Sequence, residues 1–517
     1  MFDLGRSFLA SVERSPNAPA IVDGNTRLSY AEWMLRIGSL AGGLRLLGLR
    51  HGDHLLVVMQ NRWQMATLHW ACQFLGVIVT PLNWRAKADE IEYCALDADA
   101  CAVAYDAASA AAVAESAACG QIQRISVDDT TIGNKATEEK AGGTIAFDDL
   151  LAADAPATLL SASADDCSIM LYTSGTTGKP KGVPRSHRAE RAAAIAHVAQ
   201  NLYSNGERTL GVMPLYHTMG VRSLLSMALV NGCFTCMQRF DSGDALRAIA
   251  RERITHLYLV PTLYHDLLAD PEFHKTDIGS VRRLGFAGAP MSEDLLKRLD
   301  GAFRPDIFVN HYGSSEIYTF TIDQAATEKP GSAGRAGLNA RIRVVNLGAG
   351  KPDELAAPTE EGEIIADLNG DEAFQGYWKR ADADKKTLRQ GWYFTGDTGY
   401  FDNDGDLFVT GRVDDMIISG GENISPVEIE SVLSLHPAVD EVAVAGLTDE
   451  RWGQRVVAFV KRRSSVDAAI LDGHCKTSSL VDFKRPREYV FVRDIPKSPV
   501  GKILRRKLIA GEYEREI

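Results

Sequence analysis

No run of about 18 consecutive apolar residues occurs in this 517-residue chain, so no helical membrane span is expected. The opening residues Met1 to Ser7 contain no basic stretch followed by an apolar core, so no secretory leader is expected and the cytoplasm is the expected compartment. Cysteine is sparse, eight scattered residues, which argues against a disulfide framework. Cys233 and Cys236 form the one close pair, without a second pair at zinc-ligand spacing. The apolar stretch around them, Gly232 to Met237, reads as a buried strand. Positive charge is in deficit: 56 Lys and Arg against 68 Asp and Glu leave a net −12, and such a surface repels a nucleic-acid backbone.

A chain of this length exceeds one hydrophobic core and implies two or more domains. Ser29 is a candidate N-cap of an amphipathic helix reaching about Leu47. Leu55–Met59 reads as a strand, Trp63–Leu75 as a helix and Val77–Pro81 as the next strand. This β-α-β rhythm returns at Thr209–Met213, His256–Val260 and Arg283–Ala287, and predicts parallel sheets with helices on their faces. The segment from Asp128 to Gly143 reads as a surface excursion. From about Arg341 to Val409 short strands alternate with turns, and Asp404-Gly405 marks a hairpin. Asp402, Asp404 and Asp406 lack EF-hand order and read as a solvated turn. Beyond Gly411 a helix near Pro426–Leu435, strands at Glu441–Ala445 and Arg455–Val460 and a basic tail form a compact α+β unit.

The densest chemistry lies in Tyr172 to Gly182. Thr173, Ser174, Thr176 and Thr177 supply hydroxyls, Gly175, Gly178 and Gly182 supply open backbone, and Lys179 and Lys181 supply charge. That mixture, following the apolar strand Ser168–Tyr172, suits a polyphosphate at a strand end. It is not a Walker loop. Gly175 and Gly178 enclose two residues rather than four, and Pro180 follows Lys179 where the Walker pattern places a hydroxyl.

This loop resembles the signature loop of the adenylate-forming superfamily, which comprises acyl-CoA ligases, peptide-synthetase adenylation domains and firefly luciferase. Further segments match that family in its order. Asn310 to Glu316 resembles the aromatic-Gly-x-Thr-Glu motif with Ser315 in place of threonine. Tyr393 to Asp397 resembles its Thr-Gly-Asp motif, Gly411 to Asp414 its hinge, and Pro496 to Arg506 its closing motif. The resemblance implies an α/β fold: a large N-terminal domain (1–413) of mixed and parallel sheets with helices and a distorted β-barrel part, and a small mobile α+β domain (414–517). It implies that Tyr312 packs on adenine, Glu316 with Thr176 holds Mg2+, Asp397 takes the ribose hydroxyls and Arg412 reaches the ribose or phosphate. Asp414 becomes the hinge and Lys502 the catalytic lysine.

The likeness is strongest to aryl-CoA ligases of the 4-chlorobenzoate:CoA ligase type. It places Arg85, Gly420, Gly421, Trp452, Phe483, Arg485 and Arg487 against coenzyme A. His217 becomes an aromatic gate, with Met213, Thr218, Met219, Gly220, Val221, Gly288 and Ser314 around the acyl pocket. Nine basic residues between Lys484 and Lys507 suit the anionic end of coenzyme A. The expected partners are therefore ATP, Mg2+, coenzyme A and a carboxylate, with monomer or homodimer unresolved. The expected activity is AMP-forming ligation of an aromatic or alicyclic acid to coenzyme A. Medium-chain fatty acids, loading of a carrier protein and a catalytically inactive nucleotide-binding module are the alternatives.

Overall fold

The computed structural model describes residues 2–128, 143–152, 160–174, 179–420, 422–478, 480–497 and 503–516. Almost all of the expected surface excursion, 129–142, lies outside them.

Local signals act where they were read. The Ser29 hydroxyl accepts the Glu32 amide, and the Glu32 carboxylate accepts the Ser29 amide, a reciprocal box that starts the helix Tyr30–Leu46. Trp63–Leu75 is a helix, closed by Gly76 in the left-handed conformation at φ 72°. Nearly all of its residues are buried, because it lies between two sheets.

The first sheet runs in the spatial order Thr144–Ala146, Gln123–Ser126, Ala100–Tyr105, His54–Val58, Ile78–Leu82, Cys167–Ser174 and Pro180–Ser186. All neighbours are parallel except the last pair. The second sheet holds the parallel strands Pro19–Asp23, Cys233–Cys236, Arg208–Gly211, His256–Leu259, Arg283–Ala287 and Ile307–Tyr312 in that order. All four residues of Cys233–Cys236 are buried in the strand, as their apolar setting predicts.

Helices Tyr30–Leu46, Trp63–Leu75, His187–Gln200 and Thr218–Leu229 fill the space between the sheets. Ile37, Trp70, Ala193 and Val221 share one core with Leu55 and Ile169 of the first sheet and Ile21 and Phe234 of the second. Parallel strands require such cover on both faces.

The expected β-barrel part is an antiparallel region. Thr321–Asp323, Ser332–Ala336, Leu407–Arg412, Trp392–Phe401, Gly362–Asp367 and Ile342–Val345 continue the second sheet as one antiparallel path. Ser332–Ala336 bonds Thr321–Asp323 on one side and Leu407–Arg412 on the other, so this region is continuous with the parallel sheet. The hairpin turn at Asp402–Asp406 is tied down rather than merely solvated. Lys329 Nζ lies 2.6, 2.8 and 2.7 Å from carboxylates of Asp402, Asp404 and Asp406, the place a cation would take.

A third sheet uses only residues after 416: Glu422–Ile424, Ile417–Ser419, Gly453–Arg462, Val439–Asp449 and Glu488–Phe491. Its own core contains Ile424, Ile429, Leu433, Val444, Val456 and Leu471. Among the described residues, no helix is long and apolar enough to cross a membrane.

One buried ion pair fastens the elements that carry the site. Arg185 on Pro180–Ser186 pairs with Glu190, both side chains fully buried, and its Nη1 donates to the carbonyls of Ser315 (3.2 Å) and Glu316 (3.0 Å). Arg185→Ala leaves Glu190 buried with Tyr318 as its remaining hydroxyl donor. The expected loss is about 3–5 kcal/mol, read as a lower urea midpoint at unchanged slope.

Candidate active site

The chain reaches the candidate phosphate loop along Cys167–Ser174 and leaves it along Pro180–Ser186. Thr173 stands opposite Lys181 and Ser174 opposite Pro180. The loop therefore closes a hairpin and feeds no helix, which is the structural reason for Pro180 and for the non-Walker spacing. Gly175, Thr176, Thr177 and Gly178 lie outside the described residues, as does the side chain of Ser174. Lys181 Nζ sits 4.4 Å above the Tyr377 ring. Burial pushes its pKa down; Glu316 opposes this, and the cations Arg380, Lys386 and Arg412 add to it. These four cations form a local positive field in an acidic protein, the environment a polyphosphate requires.

The turn after Ile307–Tyr312 carries the candidate metal ligand. Glu316 is 7% exposed and its Oε1 accepts the Tyr377 hydroxyl at 2.6 Å. Tyr377 O–H is 3.4 Å from the Tyr393 hydroxyl, and the backbone amide of Phe374 bonds the Glu316 carbonyl. Burial, then the Glu316 charge, push the Tyr377 pKa up, so it remains a donor. Ser314 spends its hydroxyl inside the turn, accepting the amides of Glu316 (3.2 Å) and Ile317 (3.3 Å). Ser315 presents its carbonyl to Arg185. Gly313 is required here: a Cβ at this position would lie 2.1 Å from the Tyr318 carbonyl oxygen.

Tyr312 O–H donates to Asp397 Oδ2 at 2.6 Å, and Arg412 Nη1 lies 2.6 Å from Asp397 Oδ1. Strand pairing places Asp397 opposite Arg412. Against the pull of burial, the Asp397 charge raises the Arg412 pKa, so the guanidinium stays charged. Burial first, then Asp397, raise that of Tyr312. The aromatic face, the carboxylate and the guanidinium thus stand together, with acceptor capacity left on Asp397 for two hydroxyls.

On the acyl side, Asn61 braces the turn before His217. Its Nδ2 donates to the carbonyls of Gly211 (3.0 Å) and Met213 (2.7 Å), and its Oδ1 accepts the Leu215 amide (2.9 Å). His217 caps the helix Thr218–Leu229, its Nδ1 accepting the Met219 amide at 3.3 Å. Burial first, and the charge of Arg222 second, push its pKa down to about 4, so the ring is neutral at physiological pH. Thr218, Met219, Gly220 and Val221 are buried behind it, and Met213 is buried in the preceding turn. Gly220 allows the helix to start against that turn: a Cβ would lie 2.2 Å from the Pro214 carbonyl oxygen. Gly288 is exposed at φ 85° just beyond the strand Arg283–Ala287.

The expected coenzyme A contacts divide. Arg85 is exposed and stacks on Trp84, 3.7 Å from the ring centroid. Trp452 and Phe483 are each 39% exposed; Gly420 donates its amide to the Trp452 carbonyl at 2.8 Å and lies against the indole. Gly421 lies outside the described residues. Arg485 is already engaged, by Asp472 and by Asp482 at 3.0 Å. Most of the tail's basic residues are likewise paired. Lys484 pairs with Glu428, Lys497 with Glu441, Arg493 with Glu514, Arg505 with Glu430 and Lys507 with Glu512. Among the described residues, Arg487 and Arg506 are the tail cations without an ion pair. Lys502 lies outside the described residues, and Asp414 is exposed in the short turn Val413–Asp415.

Sequence reasoning missed Tyr377, Tyr393, Arg380 and Lys386. They come from a segment remote in sequence from the phosphate loop, and only the pairing of strand Trp392–Phe401 into the second sheet brings them near. The aromatic-basic run Tyr377 to Arg380 was the available signal.

The pattern of the AMP-binding enzyme family matches residues 8–378, and that of the AMP-binding enzyme C-terminal domain matches residues 428–502. Feruloyl-CoA synthase of Amycolatopsis sp is 34% identical over 508 residues, covering 97% of this chain and 96% of that protein. The 4-chlorobenzoate–CoA ligase of Arthrobacter sp is 33% identical over 503 residues, covering 96% and 93%. The o-succinylbenzoate CoA synthetase of Bacillus subtilis, solved with its acyl-adenylate, superposes with a TM-score of 0.82 at 28% identity, covering 97% of each chain; the same enzyme has been solved with ATP and a magnesium ion. The chain thus belongs to the AMP-binding enzyme family, as an acid–thiol ligase built on the adenylate-forming fold.

Proposed function

We propose that the enzyme ligates an aromatic or alicyclic carboxylic acid to coenzyme A in two steps at one site. The observation that carries this reading is the convergence of Lys181, Glu316, Tyr312 and the Asp397–Arg412 pair at adjoining strand ends. In the first step the carboxylate attacks the α-phosphorus of ATP and pyrophosphate leaves. In the second, the thiol of coenzyme A attacks the acyl carbonyl and AMP leaves. The protein supplies orientation and charge rather than a nucleophile.

Tyr312 and the Asp397–Arg412 pair hold the adenosine, while Lys181 and the cations beside it hold the phosphates. Glu316 is the residue that would hold magnesium: its buried, charge-rich setting supplies the hard carboxylate oxygen such an ion prefers, and the ion would supply charge neutralisation for the phosphates. The proposed division falls at residue 413, with Asp414 the hinge of a mobile unit 414–517 carrying Lys502. The proposed setting is the cytoplasm.

The test is an AMP-release screen of benzoates, cinnamates, cyclohexane carboxylates and C6–C12 acids, each with and without coenzyme A. Aromatic or alicyclic acids are expected to release AMP in multiple turnovers only when the thiol is present. Preference for straight-chain acids, or turnover only with a carrier protein, would replace this reading.

A further inference from the structure

Arg222 lies on the helix Thr218–Leu229, which His217 caps, four residues and so about 6 Å along the helix axis beyond Thr218. It is 2% exposed. Its Nη1 donates to Thr319 Oγ1 at 2.7 Å and to the Tyr318 carbonyl at 3.3 Å, and its Nη2 bonds the Tyr258 hydroxyl. Its buried Nε–H has no partner. Among the described residues no carboxylate bonds this guanidinium. Two buried carboxylates share the region and both are turned to other groups. Glu190 takes Arg185 and the Tyr318 hydroxyl. Glu372 takes the Asn339 amide on Oε1 at 3.1 Å and leaves Oε2 without a partner, and burial raises its pKa toward the neutral form against the pull of the Arg222 charge.

The rings of Tyr258 and Tyr318, 5.2 and 6.0 Å from the guanidinium carbon, face the cation but carry no formal charge. His197, His311 and His217 all have depressed pKa values, through burial first and the Arg222 charge second, so each ring is neutral. Asn201 sends its amide N–H to His197 Nδ1 at 3.0 Å, which turns its Oδ1 to His311 Nε2 at 3.1 Å. With the rings assigned on that network, His311 Nδ1 remains a buried acceptor without a partner. A buried cation with an unsatisfied N–H and no carboxylate bonded to it is costly, of the order of several kcal/mol.

Its position connects that deficit to the site. Tyr318 and Thr319 lie two and three residues beyond Glu316. His311 immediately precedes Tyr312, and Tyr258 packs against it with ring centroids 4.9 Å apart. The arginine is thus bounded by the His217 helix, the Glu316 turn and the end of the Tyr312 strand. Resting on the ligase reading above, we infer that Arg222 recognises a second carboxylate on the acid substrate. The substrate class is then a dicarboxylic acid on an aromatic or alicyclic frame, its second carboxylate about one helical turn from the one that is adenylated. A purely apolar acyl group would leave the guanidinium without its counter-charge.

The experiment is acid-dependent pyrophosphate exchange with matched pairs: terephthalate against benzoate, and cyclohexane-1,4-dicarboxylate against cyclohexanecarboxylate, with 4-hydroxybenzoate as a neutral-hydroxyl control. The wild type is expected to favour the dicarboxylate of each pair by at least ~10² in kcat/KM, since a site built around a polar partner rejects the analogue lacking it. Arg222→Met is expected to cut that ratio by about the same factor with the KM for ATP unchanged. Arg222→Lys, which keeps the charge, is expected to restore part of the ratio. Wild-type preference for the monocarboxylate or the hydroxy acid overturns the inference. So does an equal loss on both members of a pair in Arg222→Met, which would mark the arginine as a brace of the Tyr318–Thr319 turn. The wild-type ratio decides the matter even where the methionine variant does not fold. Absence of exchange with every acid would overturn the ligase reading and this inference together, a pattern distinct from exchange that ignores the second carboxylate.

Discussion

Lys502→Ala is expected to slow acyl-AMP formation by about 10²–10³ while leaving thioester formation from supplied acyl-AMP within a few fold of wild type. A lysine that meets the negative charge building at the α-phosphorus acts in the first half-reaction alone. That separation requires the small unit to move away before the thiol arrives, so the two half-reactions must be assayed apart: pyrophosphate exchange for the first, coenzyme A consumption from acyl-AMP for the second. Equal losses in both would remove the proposed role.

The hinge has a companion test. Arg412 is tied to Asp397 in the second sheet. Asp415 is tied to Arg505 at 3.2 Å, and Arg505 to Glu430 at 2.6 Å, within the small unit. Val413 and Asp414, both exposed, lie between these two anchors, so the proposed rotation would concentrate there. Asp414→Pro fixes φ near −65° at that point. It is expected to leave pyrophosphate exchange active and to stop the cycle with acyl-AMP bound, seen as a single burst of product per enzyme. Full turnover in this variant would sink the swinging-unit account.

Much of the fold was legible because its signals are local. The Ser29 N-cap, the helix Trp63–Leu75 and the Asp404-Gly405 hairpin each depend on a few neighbouring residues. Strands such as Arg283–Ala287 stood out as short apolar runs. The continuous path from the parallel strands into the antiparallel ones was not legible, because Ser332–Ala336 finds Leu407–Arg412 across about seventy intervening residues.

The site divides in the same way. Tyr312, Glu316, Asp397 and Arg412 sit in motif-like strings, and the structure brings them together. Tyr377 and Arg222 carry no motif, and the roles proposed for them come from what they touch. The basic tail shows the opposite error: composition displayed its lysines and arginines but not the glutamates and aspartates, far away in sequence, that neutralise them.

Glu316→Gln is expected to lower adenylation by about 10²–10³, because the amide keeps the shape and the Tyr377 hydrogen bond but removes the charge that a hard cation requires. The Glu316 carbonyl keeps Arg185 and the Phe374 amide in the variant, so the turn itself should persist and the melting temperature should move little. Tyr377→Phe separates positioning from charge. It removes the hydroxyl that orients Oε1, while the ring that lies under Lys181 remains. The expected result is about a tenfold loss in pyrophosphate exchange, expressed as a raised requirement for magnesium and relieved in part as the ion is titrated upward. A merely structural tyrosine would behave differently: its loss would ignore magnesium and track a fall in thermal stability. The carboxylate alone cannot distinguish these cases, since removing it abolishes the charge in either. The magnesium dependence of the phenylalanine variant is therefore the measurement that assigns Tyr377 to the reaction or to the core.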